Sequence, residues 1–130
     1  MATLVFDIET SGLPVESFDE TQQEYLFREL QRIEDEEVRE KRREELTRMM
    51  SLWPLTSQWV CIAMINAESE KGQVLYLADD FDVDEVGQEG VKFLPFPDEH
   101  ELLTEFWKVV PKFDRIVSFN GRGFDVPFVI

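Results

Sequence analysis

Residues 4 to 14, LVFDIETSGLP, constrain the fold more than any other stretch: an apolar run delivers two acids, Asp7 and Glu9, and is then stopped by Gly12 and Pro14. If residues 2 to 9 are extended, Leu4, Phe6 and Ile8 share one face while Thr3, Val5, Asp7 and Glu9 share the other, because successive strand side chains point to opposite sides. Both acids therefore point the same way. A run apolar on both sides suits a strand inside a sheet with both faces covered. Charge in such a place is costly unless it is neutralised or met by a cation. The stretch thus implies a cation and a chemistry that uses it.

Further along, WVCIAMIN (59 to 66) and QVLYLA (73 to 78) read as buried strands joined by AESEKG, an antiparallel hairpin. Residues 79 to 97, with Gly87, Gly90, Pro95 and Pro97, read as an irregular acidic connection. Its string DDFDVDE suggests calcium but lacks the glycine and the bidentate glutamate of an EF-hand loop, so it reads as solvated. Pro97 and Asp98 open a helix whose stripe is Leu102, Leu103, Phe106, Val109 and Val110, and Pro111 ends it. RIVSF (115 to 119) reads as a fourth strand, NGRG as a tight turn, and FDVPFVI as the beginning of a helix, with Pro127 tolerated near its start.

Between the first two strands the character changes. Residues 16 to 48 hold twelve acids and seven basic residues. Capping-box spacing occurs at Ser17 to Glu20 and Thr21 to Glu24. Leu26, Leu30 and Ile33 fall on one helical face, and Glu24/Arg28, Asp35/Arg39, Glu37/Lys41 and Glu44/Arg48 stand at acid-before-base helical spacing. The segment is expected to be helical. Its middle has Val38 as its one apolar residue and is expected to project into solvent or bend. A solvated face accounts for Arg39, Lys41, Arg42 and Arg43 better than a nucleic-acid arm does.

A length of 130 residues fits one domain. With 28 acids against 13 basic residues the formal charge is −15, which repels polyanions and argues against a general nucleic-acid scaffold. An enzyme that holds a few nucleotides through bound cations is still compatible. The single cysteine, Cys61, offers neither a disulfide nor zinc spacing; it fits a reducing compartment and reads as a small core residue. With no basic, apolar leader and no run of membrane-spanning length, the expected location is cytoplasmic, without membrane contact.

Asp7, Glu9 and Asp125 all stand at the ends of elements. Acids at i and i+2 on one strand address one small volume, and a third can join from a neighbouring strand-to-helix turn. Such hard oxygen ligands suit magnesium or manganese. Two ions about 3.5 to 4 Å apart would stabilise both oxygens of a phosphodiester cleavage.

FDIETSGLP and VSFNGRGFDVPFV resemble the first and second exonuclease motifs of the DEDD superfamily of 3′–5′ exonucleases. They are most similar to the proofreading-exonuclease-like branch related to family-B DNA polymerases. The resemblance implies a ribonuclease H-like α/β fold. Its mixed sheet would have three antiparallel strands first, then a helix and a fourth strand, in a single domain over residues 1 to 130, with a charged helical insertion over residues 17 to 50. It implies that Asp7, Glu9 and Asp125 are catalytic metal ligands for two Mg2+ or Mn2+ ions, and that Thr10, Leu13, Asn120 and Phe124 lie at the substrate. For Asn120 the competing reading is a left-handed turn residue, and for Phe124 it is core packing.

The implied activity is hydrolysis of terminal phosphodiester bonds of single-stranded DNA or RNA, releasing nucleoside monophosphates. The family also uses a third motif, a fourth acid with a Tyr or His shortly before it, and nothing after Asp125 supplies one. His100 reads as a surface residue. The expectation is therefore a partial, inactive exonuclease domain, or alternatively a non-catalytic interaction module. A protein partner or oligomer contact would use the unfinished sheet edge or the helical insertion. A phosphohydrolase of small nucleotides is a third possibility.

Overall fold

The computed structural model describes residues 1–79, 90–119, 121 and 123–129, with the side chains at 126 and 129 left aside. The acidic string DDFDVDE, read as a solvated loop, lies from residue 80 on outside the described residues, as does Asn120. Five strands form one mixed sheet: β1 (Thr3–Gly12), β2 (Ser57–Asn66), β3 (Gly72–Leu77), β4 (Val91–Phe96) and β5 (Arg115–Val117), in the order β4-β3-β2-β1-β5. β2 and β3 pair antiparallel, Ile62 opposite Leu75, as the hairpin pattern predicts. β3 and β4 run parallel, and so do β1 and β5, with Leu4 level with Ile116 and Val5 with Val117. The helices are α1 (Glu20–Leu26), α2 (Glu36–Met49), α3 (Glu99–Val109) and α4 (Asp125–Val129). This α/β architecture is consistent with the ribonuclease H-like expectation.

The chain divides into two compact units, one of residues Met1–Thr10 with Trp59–Ile130 and one of Ser11–Gln58. In the first unit Leu4, Phe6 and Ile8 of β1 join Trp59, Ile62, Met64 and Leu75 from the hairpin, Leu102 and Phe106 from α3, and Phe128 from α4. Phe106 is the hub: its ring centroid lies 5.5 Å from that of Phe6 and 5.4 Å from that of Trp59, at tilted and edge-on angles suited to the ring quadrupoles. α3 begins where Asp98 accepts from the Glu101 N–H. Glu99 in its first turn accepts from the Trp59 backbone N–H at 3.2 Å and ties the helix to β2.

Two expectations about the sheet are corrected. The strand bearing the acids is covered on one face: Leu4, Phe6 and Ile8 are buried while Asp7 and Glu9 are exposed. Its apolar run is short, and Val5 on the acid face is only half-buried. Residues 91 to 96, read as part of an irregular connection, form β4. Pro95 looked like a breaker, but β4 is an edge strand, where a missing N–H can face away from the ladder.

In the second unit the long helix is broken. A 3-10 turn at Val15–Ser17 precedes α1, another at Arg28–Arg32 separates α1 from α2, and Asp35 caps α2 by accepting from the Val38 N–H. The capping box is formed by Asp19 and Gln22, not by Ser17 or Thr21. The break lets Phe27, Leu30, Leu46 and Met50 close into a cluster with Val15, Phe18, Leu26, Ile33 and Trp53 around it, which a straight helix could not do. It also redirects the charges. Asp35 serves as a cap, Arg39 donates to the Ile33 and Glu34 carbonyls, and Arg28 lies 4.1 Å over the Tyr25 ring. Of the expected pairs, Glu44 and Arg48 meet, at 3.9 Å. Arg42 bridges Glu29 and Glu45, and Arg43 lies over Phe27, so these two arginines are engaged locally. Val38 is exposed, as expected.

Candidate active site

The carboxylates of β1 are placed by the anchoring of its first residues. The Thr3 N–H donates to Glu68 Oε2 at 2.8 Å, and the Ala2 N–H donates to Asp114 Oδ2 at 3.0 Å. The same bond holds the Glu68 carboxyl below its usual range, since the ionised form is the better acceptor. With Leu4, Phe6 and Ile8 fixed in the core, strand alternation leaves Asp7 and Glu9 on the opposite, exposed face.

Asp125 is placed from the other side of the fold. β5 runs beside β1, and the turn that follows it leads to α4, whose first residue is Asp125. The turn is tight at Gly121, where a Cβ would overlap the Ser118 hydroxyl and stand 3.9 Å from Asp125 Oδ2. A larger residue there would oblige the Ser118 side chain to turn away. Phe124 packs partly buried against the core, its ring 4.9 Å from that of Phe128, so it helps seat Asp125.

The outcome is a carboxylate with no exposed surface. Burial pushes the Asp125 carboxyl above its ordinary range, and the charge of Asp7 pushes it further the same way. The backbone N–H groups of Asp125 and Ile8 lie near enough to oppose the shift. Even so, neither Asp125 oxygen is well hydrogen-bonded among the described residues. A buried carboxylate short of donors beside a second one either keeps its proton or takes up a cation.

Cys61 of β2 belongs to the same neighbourhood. It is half-buried, not fully so as its apolar context suggested, and burial raises its thiol, with Glu9 and Asp7 adding to the shift. Its proximity to the acids depends on which residues of β1 and β2 stand side by side, which no local pattern reveals. Asp7, Glu9 and Asp125 do not all close on a single point: among the described residues no three His, Cys, Asp or Glu side chains form a group that could hold a metal ion. The structure brings Asp125 to Asp7 and leaves Glu9 on the same strand face as Asp7.

Of the other expected site residues, Thr10 is half-buried within β1. Leu13 belongs to the second unit, where its N–H donates to the Thr56 carbonyl at 2.8 Å. His100 is exposed at the start of α3.

The sheet is mixed, with two acids on the interior strand β1 and a third at the start of α4, the helix that follows the neighbouring strand β5. Residues 55–130, well over half the chain, match the family described as predicted 3′–5′ exonucleases related to the exonuclease domain of the DNA polymerase PolB, and the chain belongs to that family. It matches no curated protein. Among the described residues no helix is long and apolar enough to cross a membrane.

Proposed function

We propose that the chain is a metal-dependent 3′–5′ exonuclease domain that acts on the terminal phosphodiester of single-stranded DNA or RNA. The observation that carries this reading is Asp125, buried, poorly hydrogen-bonded among the described residues and set against the charge of Asp7. Asp7, Glu9 and Asp125 offer oxygen donors alone, which suits Mg2+ or Mn2+ better than zinc. Two such ions, when bound, would stabilise the attacking and leaving oxygens of the cleavage.

The chain's own part follows from its charge. Without a cation the acidic face repels a phosphate, so the same carboxylates that hold metal also keep phosphate out until metal is present. Thr10 and Asn120 are assigned to the terminal nucleotide, and Phe124 to the seating of Asp125. In the reaction, water adds to phosphorus, the bond from phosphorus to the 3′ oxygen of the preceding nucleotide breaks, and a nucleoside monophosphate leaves. Residues 1 to 130 supply three of the four acids and no general base, so low or absent turnover is proposed for these residues by themselves. A cytoplasmic location accompanies this reading.

Calorimetric titration with Mn2+ tests it. Saturable binding that is lost in Asp7→Ala is expected, together with metal-dependent capture of a single-stranded oligonucleotide. Absence of Mn2+ binding in the unaltered chain would overturn the assignment.

A second reading, an interaction module built on the nuclease fold, is favoured by one observation. The Ser11–Gln58 unit has its own apolar cluster and lies almost wholly outside the matched residues. That reading expects a protein partner lost on deletion of residues 20 to 48, with no Mn2+ binding at Asp7.

A further inference from the structure

The break between α1 and α2 leaves a groove of about 460 Å³ within the Ser11–Gln58 unit. Leu26 of α1, Leu46 and Met49 of α2, and Trp53 and Pro54 beyond α2 line its apolar part. The wall that follows α2 is pinned. The Thr56 hydroxyl donates to the Met50 carbonyl at 2.7 Å and the Ser57 hydroxyl to the Trp53 carbonyl at 2.7 Å, which fixes the turn between them. Leu55, on that pinned turn, has 90 % of its surface in water, and Tyr25 of α1, which also lines the groove, is 65 % exposed. Both forgo the stabilisation that burial would bring. Trp, Tyr and Arg lead the side chains whose loss costs most at protein interfaces, and this groove holds all three. A fixed wall also lowers the ordering cost of binding.

Two arginines line the groove, and they differ in how they are satisfied. Arg42 is matched by Glu29 at 3.2 Å and by Glu45 at 2.9 Å. Arg28 forms no ion pair among the described residues, and Glu24, one turn earlier, does not meet it. Its guanidinium is held 4.1 Å over the Tyr25 ring, with one N–H donating to the Tyr25 carbonyl at 2.8 Å. A guanidinium carries five N–H donors in a planar fork, so most of this one is left for an anion. The groove thus sets a positioned, unmatched cation beside an apolar floor. At a formal charge of −15 the chain as a whole attracts bases, so an acid is selected here by local contact alone.

We propose that this groove is a docking site for a peptide segment of a partner protein in which a bulky apolar side chain stands beside a carboxylate. The apolar side chain enters among Leu26, Leu46, Met49 and Trp53, Tyr25 and Leu55 cover it, and the carboxylate takes the Arg28 fork. Charge complementarity at Arg28 is what commits the occupant. The proposal does not rest on the exonuclease reading, because the groove lies in the Ser11–Gln58 unit and Asp7, Glu9 and Asp125 lie in the other.

The test uses the full chain as bait for a display library of random dodecapeptides. The expected consensus pairs Leu, Phe or Trp with Asp or Glu. The selected peptide, labelled with fluorescein, is then titrated and read by anisotropy. Arg28→Gln and Leu55→Asp should each weaken its binding by about 5- to 30-fold. Both side chains are exposed, so thermal unfolding of the two variants is expected to match that of the unaltered chain. Replacing the peptide's acid by its amide should weaken binding to the unaltered chain and cost Arg28→Gln nothing further, the coupling expected of groups in contact. A chelator should change none of this, which keeps the result separate from Mn2+ binding at Asp7.

A library without enrichment, or a selected peptide that binds both variants as tightly as the unaltered chain, would overturn the proposal. A consensus of Lys and Arg would do the same, since the overall charge would then be selecting. Sedimentation of the chain alone over a concentration series covers the remaining occupant: a dimer that is lost in Leu55→Asp would assign the groove to a second copy instead.

Discussion

Asp125, with no exposed surface, lies close enough to the exposed Asp7 for the charge of Asp7 to weigh on its ionisation. One carboxylate is open to solvent and the other is sealed from it, so the fold bears the cost at Asp125.

That cost has a sign in pH. The folded-state affinity of Asp125 for its proton is raised, so the folded chain binds more protons than the unfolded one between the two pKa values. Its destabilising effect is full above the folded pKa and fades as pH falls, disappearing below the unfolded value of about 3.9. Asp125→Asn should therefore stabilise the fold at pH 7, on the order of 1 kcal/mol, and give no advantage at acid pH. Thermal unfolding at several pH values measures this, and a gain that persisted unchanged at low pH would contradict it.

Removal of the neighbouring charge gives an independent check. In Asp7→Asn the repulsion at Asp125 is gone while its burial remains, so its carboxyl should titrate lower than in the unaltered chain but still above the ordinary range. Carboxyl carbon shifts followed by NMR across an acid titration would show it.

Metal should act as a stabiliser by linkage. On the proposed site, Mn2+ at about 100 times its dissociation constant would add about 2.7 kcal/mol to the folded state, raising the melting temperature until a chelator is added. Asp7→Ala should lose the shift.

Phe106 joins β1, β2 and α3 through its contacts with Phe6 and Trp59. Phe106→Ala should cost about 3 to 5 kcal/mol, because a buried ring is replaced by a cavity that three elements cannot all collapse into. Urea unfolding would register the loss as a lower midpoint. Of these variants it should be the most damaging.

Gly72 begins β3 opposite Ile65, and a Cβ there would run into the Met64 carbonyl oxygen, which is backbone and cannot rotate away. Gly72→Ala should shift the hairpin and destabilise the fold by about 1 to 3 kcal/mol. The same urea experiment applies, and a neutral result would mean that the hairpin opens at low cost.

Much of this was legible from local pattern. Strand alternation put Asp7 and Glu9 on one face opposite Leu4, Phe6 and Ile8, and the stripe of Leu102 and Phe106 marked the helix that packs on the core. The hairpin of β2 and β3 followed from two apolar runs and a polar turn. These are properties of neighbours in the chain, so they survive without knowledge of the rest.

What needed the tertiary structure was every relation set by register or by sheet position. Pro95 reads as a breaker until β4 is known to be an edge strand. The charged segment reads as one helix until Leu30 and Leu46 are seen to meet, which requires the chain to bend between them. Cys61 reads as core until β2 takes its place beside β1 and brings the thiol near Glu9 and Asp7. The residue types at Asp7, Glu9 and Asp125 and the strand face of the first two were determined by the sequence itself. That Asp125 would be sealed from water beside Asp7 was decided by the parallel pairing of β1 with β5, because its burial depends on residues more than a hundred positions apart.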